Sequence, residues 1–108
     1  MDKAKIIQRV DNLLYNQYTD AEKTEWLSRA EAIVQKTVFE THETEPEDVP
    51  EPYAEMFLHY LEAQVHLHNG EYDRYNSAVL LFNSLLSEFS AYYNKHNTPK
   101  AEVPRFLF

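Results

Sequence analysis

The sequence contains no cysteine, which excludes disulfide bonds, thiolate nucleophiles and cysteine-ligated zinc sites. Glycine occurs once, at Gly70. Phosphate loops, dinucleotide fingerprints and nucleophile elbows each need several glycines at fixed spacings, so enzymes built on them are disfavoured. The apolar run at 79–82 is far shorter than the roughly 20 residues of a membrane-spanning helix, and the first residues lack the apolar core of a secretory signal. We therefore predict a cytosolic protein with no membrane segment.

Basic residues are also scarce. Ten Lys and Arg stand against eighteen Asp and Glu, for a formal net charge of −8, which disfavours binding of nucleic acid through its phosphates. No basic residue lies between Lys36 and Arg74, whereas ten of the eighteen acids do. The rest of the sequence, with ten basic residues and eight acids, therefore carries a small net positive charge. Two electrically unlike regions on one chain favour head-to-tail association.

The length of 108 residues and 44% apolar content predict one domain, and the apolar spacing predicts that it is all-α. Thr19 and Glu22 form a capping box at a helix start, and Gly70 can end a helix in the left-handed conformation. Helices are predicted at 3–15, 20 to about 42, 53–68 and 72–97. We expect a small helical bundle built on a long antiparallel hairpin of the last two helices, as a domain at 1–99 with an extended C-terminal arm at 100–108.

The predicted fourth helix carries a repeat with a period of seven. An aromatic residue is followed directly by a polar one at 75–76, 82–83 and 89–90. The aromatic side chains therefore fall on one stripe of the helix, and the polar side chains fall beside it. We interpret this as a packing seam against the third helix, with the asparagines bonded to a neighbouring helix; a ligand site is the less favoured alternative. The predicted seam comprises Tyr75, Asn76, Phe82, Asn83 and Phe89.

The third helix offers the only arrangement typical of a metal site. Glu55, His59, Glu62 and His66 fall on one helical face. Carboxylate-bridged bundles pair a Glu-x-x-His helix with a matching one, whereas the spacing here is Glu-x-x-x-His and no matching helix is present. A polar face is therefore favoured over a metal centre. No serine or acid lies in an activating motif, so we predict no catalytic residue, no metal or other cofactor, and no enzymatic activity.

The stretch Tyr-Asn-Ser-Ala-x-x-x-Phe-Asn at 75–83 is followed by aromatic residues at 89–93 and a closing Asn-Thr-Pro at 97–99. This pattern resembles the head-to-tail connector proteins of tailed bacteriophages, also called adaptor or head-completion proteins. The match is best over 53–99 and poor over the first helix.

The resemblance implies a structural virion protein that is all-helical and without enzymatic activity. It also implies a homo-oligomeric ring, usually dodecameric like the portal, assembled in the host cytoplasm and located at the virion neck. Such a ring contacts the portal protein and a tail or second neck protein. DNA passes through it without specific binding, during packaging completion and ejection.

An acidic, proline-rich loop is predicted between the second and third helices. In a ring, acids lining the lumen would repel the duplex and keep it mobile. An ordinary solvated loop is the favoured alternative. The candidate channel-facing residues are Glu45, Glu47, Asp48 and Glu51.

The last residues are strongly apolar. Pro99 and Pro104 prevent the fourth helix from continuing, and the three apolar residues at the end need cover from water. We predict an assembly arm that packs on a neighbouring subunit or on the next ring; folding back over the first helix is the alternative. The arm comprises Val103, Pro104, Arg105, Phe106, Leu107 and Phe108.

Two other functions remain open at this point. One is a small helical binding or regulatory module, such as an antitoxin or an assembly chaperone. The other is a metal-dependent bundle. The oligomeric mass under native conditions, together with any bound metal, separates these from a ring.

Overall fold

The computed structural model describes residues 1–42 and 48–98. It contains four α-helices, one 3-10 turn and, in the described residues, no β-strand, which confirms the all-α prediction. Within the same residues, no helix is long and apolar enough to cross a membrane. The helices are α1 Lys3–Leu13, α2 Asp20–Thr37, α3 Glu55–His68 and α4 Tyr72–His96, and the 3-10 turn is Phe39–Thr41.

The helix starts follow local capping chemistry. The Asp2 side chain accepts a hydrogen bond from the Lys5 amide at the start of α1. At the start of α2 the Glu22 amide donates to the Thr19 hydroxyl at 3.1 Å, and the Thr19 amide donates to the Glu22 carboxylate at 3.0 Å. The capping box is therefore confirmed, with two otherwise unpaired amides satisfied. Gly70, with a φ of 77°, lies in the turn between α3 and α4.

The helix ends differ from the prediction in several places. The first helix ends at Leu13 instead of 15, and the second ends at Thr37 instead of about 42. The chain then tightens into the 3-10 turn, whose Phe39 is buried. The third helix begins at Glu55, two residues after the predicted start. Apolar spacing continues through each of these turns, so it does not mark where the helical hydrogen bonds stop.

Helix α3 is the central element of the bundle. It packs on α1, α2 and α4, and its Met56, Leu61 and Val65 are almost fully buried. Ring contacts join Tyr53, just before α3, with Phe89, and Tyr60 with Phe82, at centroid distances of 5.6 and 5.2 Å. The start of α3 thus lies beside the end of α4, and the two helices run in opposite directions.

Helix α4 is covered unevenly. Its C-terminal half packs on α3 and also on the 3-10 turn, where the Phe39 and Tyr93 ring centroids lie 5.1 Å apart and His42 meets Tyr93 at 4.6 Å. Its N-terminal half packs on α3 through Ala78 and Phe82. Among the described helices, α3 is the only one that α4 contacts extensively. Within residues 1–42 and 48–98, one side of α4 is therefore left to solvent.

Candidate functional site

The solvent side of α4 is uncharged over its middle turns, although charged residues stand near both ends of the helix. From Tyr75 to Ser87 the helix carries no acidic or basic side chain, although 26% of the residues in the chain are charged. By contrast, the exposed side of α2 carries charges from Asp20 to Lys36. We call this surface the outer face of α4. Its exposed residues are Asn76, Ser77, Leu80, Leu81, Asn83, Ser84 and Ser87.

Two large apolar side chains project from the outer face. Leu80 is 67% exposed and Leu81 is 50% exposed, and the neighbouring Leu85 is only partly buried. Adjacent exposed leucines on an uncharged surface are typical of a protein-protein contact, because interface cores are depleted of charge. The outer face therefore has the composition of an interface.

A groove borders the outer face between α3 and α4, near the turn at Gly70. It encloses about 320 Å³ and its wall includes Ala78, which is buried, and Leu81. Acidic side chains stand on both of its sides, Glu62 on α3 and Asp73 on α4. We call it the α3–α4 groove; its other lining residues are His66, Arg74 and Ser77.

Histidine–carboxylate contacts fix the α3 side of the groove. Nδ1 of His59 lies 2.8 Å from the Glu62 carboxylate, and Nδ1 of His66 lies 2.9 Å from that of Glu71. The hydrogen bond from His66 lowers the pKa of Glu71, against a smaller effect of burial. The first pair lies within α3 and positions the Glu62 carboxylate, whereas the second joins the end of α3 to the residue before α4.

The predicted packing seam divides into two parts. Phe82 and Phe89 are buried and Tyr75 is partly buried, so the aromatic residues face the bundle. Asn76 and Asn83 are exposed, so in the described residues they stand outside the buried part of the seam. One residue along a helix turns the side chain by about 100°, which carries each asparagine out of the contact with α3.

The four acids predicted to line a channel fall partly outside the described residues. Glu45 and Glu47 lie outside them. Asp48 is exposed, and its carboxylate accepts a hydrogen bond from the N-terminal ammonium at 3.0 Å. Glu51 is also exposed. Asp48 therefore lies beside the N-terminal residue, just before α1.

The predicted arm lies wholly outside the described residues, as does the domain boundary at 99–100. The residues concerned are Val103, Pro104, Arg105, Phe106, Leu107 and Phe108. The arm and the two-part division of the chain stay predictions.

The polar face of α3 is occupied by separate pairs. The Arg9 guanidinium donates two hydrogen bonds to the Glu55 carboxylate, at 2.6 and 3.2 Å, and lowers its pKa. His59 pairs with Glu62, as described above, while His66 turns toward the α3–α4 turn. In residues 1–42 and 48–98, no three or more His, Asp or Glu side chains are grouped closely enough to hold a metal ion. The four residues are therefore not brought together as one ligand set.

Sequence reasoning missed the outer face and the α3–α4 groove. The signal was the apolar run at 79–82, which fills a full helical turn. A helix packed on one side only cannot bury all four residues of a turn, so Leu80 and Leu81 had to face away from Phe82. Comparisons of the chain with protein-family models, with curated proteins and with solved structures find no match.

Proposed function

We propose that this protein is a structural subunit that assembles with copies of itself into a ring. We further propose that this ring is a head-to-tail connector of a tailed bacteriophage, placed between the portal and the tail so that it extends the DNA channel. The proposal of self-assembly rests on the outer face of α4, where Leu80 and Leu81 are exposed on an uncharged surface. The sequence pattern over residues 53–99, which resembles that of connector proteins, supports the more specific assignment.

Self-association of an acidic chain depends on where its charges lie. Two copies with a net charge of −8 repel each other, and burying a charged side chain without a partner costs free energy. On the outer face of α4, Leu80 and Leu81 offer apolar area with no charge to desolvate. This surface lets like-charged copies approach closely.

The distribution of charge suits a ring rather than a symmetric dimer. The acids are concentrated between Lys36 and Arg74, and the basic residues lie outside that span. Contacts between unlike surfaces of successive copies bring opposite charges together, and such contacts close into rings when the rotation permits. In such a ring, exposed acids such as Glu51 would line the lumen. They would repel the phosphates of DNA instead of binding them.

Native mass spectrometry and electron microscopy of the purified protein test this proposal, alone and with the portal protein of the same virus. We expect a closed ring in at least one of the two conditions. The double substitution Leu80→Asp and Leu81→Asp should abolish the ring without unfolding the subunit, because both side chains are exposed. Ser28→Asp, at an exposed position of α2, is the control and should leave the ring intact.

The α3–α4 groove favours a second candidate, a small helical binding or regulatory module. A groove with an apolar wall and acids on both sides suits a short basic and apolar peptide. A monomer or dimer in both conditions, with no ring, would contradict the connector and favour this module.

A further inference from the structure

We propose that the α3–α4 groove receives the C-terminal segment 103–108 of a neighbouring copy. In this arrangement an aromatic side chain of the segment packs against Ala78 and Leu81, while Arg105 lies beside the acids of the groove. The inference rests on the proposed function only in that copies of this chain associate.

The groove and the segment match in chemistry. The groove offers buried Ala78 and half-exposed Leu81 as apolar contacts, between Glu62 and Asp73. Arg74 also lines it, but its guanidinium lies 3.9 Å from the Glu71 carboxylate, which offsets its charge. The segment Val-Pro-Arg-Phe-Leu-Phe carries one basic residue, no acid and three large apolar residues in succession. Complementary charge would orient the segment, and the apolar side chains would supply most of the buried area.

The position of the groove favours a second copy over the same chain. The groove lies at the start of α4, whereas the chain leaves α4 at His96. At 1.5 Å per residue, Ala78 and His96 are about 27 Å apart along the helix. Residues 97–106, fully extended, span at most about 36 Å. Folding back would use most of this reach and leave little for reversing direction. The groove of a neighbouring copy is not subject to this limit, because the two copies can be placed so that the segment reaches it.

Cysteine pairing tests the contact directly, because the chain has no native cysteine. Full-length Leu81→Cys and Phe106→Cys variants, distinguished by mass tags, are mixed and oxidised under mild conditions. We expect a mixed disulfide between the two variants as the main product. Asn83→Cys replaces Leu81→Cys in the matched control: it is exposed on the same helix, two residues later and about 200° further around the axis. Its yield of mixed disulfide with Phe106→Cys should be at least several-fold lower.

A chain that carries both Leu81→Cys and Phe106→Cys separates the two possible arrangements. Disulfide-linked dimers and longer chains support a contact between copies. A cyclised monomer as the main product overturns the proposal, because the segment then lies in the groove of its own chain. Equal yields for Leu81→Cys and Asn83→Cys in the mixed experiment overturn it as well.

A charge exchange gives a second measurement that leaves the apolar contacts intact. Asp73→Lys in the copy with Leu81→Cys should lower the yield of mixed disulfide, and Arg105→Glu in the copy with Phe106→Cys should restore it. An unchanged yield of mixed disulfide for Asp73→Lys would contradict the proposed pairing of Arg105 with the acids of the groove.

The outcome is independent of ring formation. Closed rings without the pairing of 81 with 106 would contradict this inference and leave the connector proposal standing. Linked copies that never close into a ring would support the groove contact and contradict the connector.

Discussion

The Lys23 ammonium lies 2.7 Å from Oδ1 of Asp11 and joins the first two helices. The Lys23 side chain is only 4% exposed, whereas that of Asp11 is 38% exposed, so the lysine bears most of the desolvation. Burial raises the pKa of Asp11, but hydrogen bonds from Lys23 and Asn16 outweigh this effect and hold the pKa below its ordinary value. The carboxylate is therefore the group that keeps a buried ammonium satisfied.

Removing the carboxylate should cost more than removing the ammonium. Asp11→Asn leaves the charge of Lys23 buried without its counter-ion and should lower the free energy of unfolding by about 1–3 kcal/mol. Lys23→Met keeps the packing of the side chain and removes the charge, so its effect should stay within about 1 kcal/mol. Urea denaturation of both variants measures the difference. A larger loss for Lys23→Met than for Asp11→Asn would contradict this account.

The aromatic contact between α3 and α4 should carry much of the stability of that pair. Phe82 is 5% exposed and its ring centroid lies 5.2 Å from that of Tyr60. Phe82→Ala should cost about 3–5 kcal/mol, through lost burial and the cavity left behind. The neighbouring Asn83 is exposed, so Asn83→Ala should change stability by no more than about 0.5 kcal/mol. Thermal and urea unfolding check both, and a loss below about 1 kcal/mol for Phe82→Ala would place its ring outside the core.

Stability should fall in acid. The hydrogen bonds from Arg9 lower the pKa of Glu55, and that from His66 lowers the pKa of Glu71. Because these carboxyls bind protons more readily when unfolded, their contribution is present above the ordinary glutamate pKa of about 4.3 and disappears as the pH falls through the lower folded values. The melting temperature should therefore drop below about pH 5. Glu55→Gln and Arg9→Gln should each flatten the drop, and a melting temperature equal at pH 3 and pH 7 would refute the linkage.

Substitutions in the acidic loop test directly whether its acids face the DNA channel. In the proposed ring, lysine at Glu45, Glu47, Asp48 and Glu51 should leave the subunit folded and slow DNA ejection, because phosphates would be held instead of repelled. Ejection rates from virions carrying the four changes measure this effect. Glu25→Lys, at an exposed position of α2, is the control and should eject normally. Normal ejection by the four-lysine virions would place the loop away from the lumen.

Glu51→Lys alone refines the test of the loop. Its carboxylate is exposed, whereas that of Asp48 also accepts the N-terminal ammonium. A slower ejection rate for Glu51→Lys would therefore report on the channel, without loss of the contact between Asp48 and the N-terminal ammonium.

The all-helical class, the capping box and the chain reversal near Gly70 were predictable because each depends on local chemistry. Thr19 and Glu22 interact within one turn, and Gly70 adopts its positive φ within the turn that it forms. Helix ends were less predictable, since apolar residues such as Phe39 continue into the core after the helix has stopped. Periodicity reports which side of the chain is buried and not which hydrogen bonds are made.

The candidate surface could not be found from periodicity alone. The heptad repeat on α4 correctly placed Phe82 and Phe89 inward, but it gave no reason to separate Asn83 from the contact or to expose Leu80. Which apolar residues stay in solvent depends on how many helices cover α4. That number is set by tertiary packing, in which α1 and α2 pack on α3 and, among the described residues, not extensively on α4.

The stacking of His68 on Trp26 provides a built-in optical probe. Trp26 is the only tryptophan, and its ring centroid lies 4.7 Å from that of His68 at the end of α3. Its fluorescence therefore reports on the junction of α2 and α3, while circular dichroism averages over all four helices and includes the thinly covered start of α4. If the two signals change at the same denaturant concentration, the bundle unfolds as one cooperative unit. If the loss of helix comes first, the start of α4 separates from a core that still holds Trp26 in place.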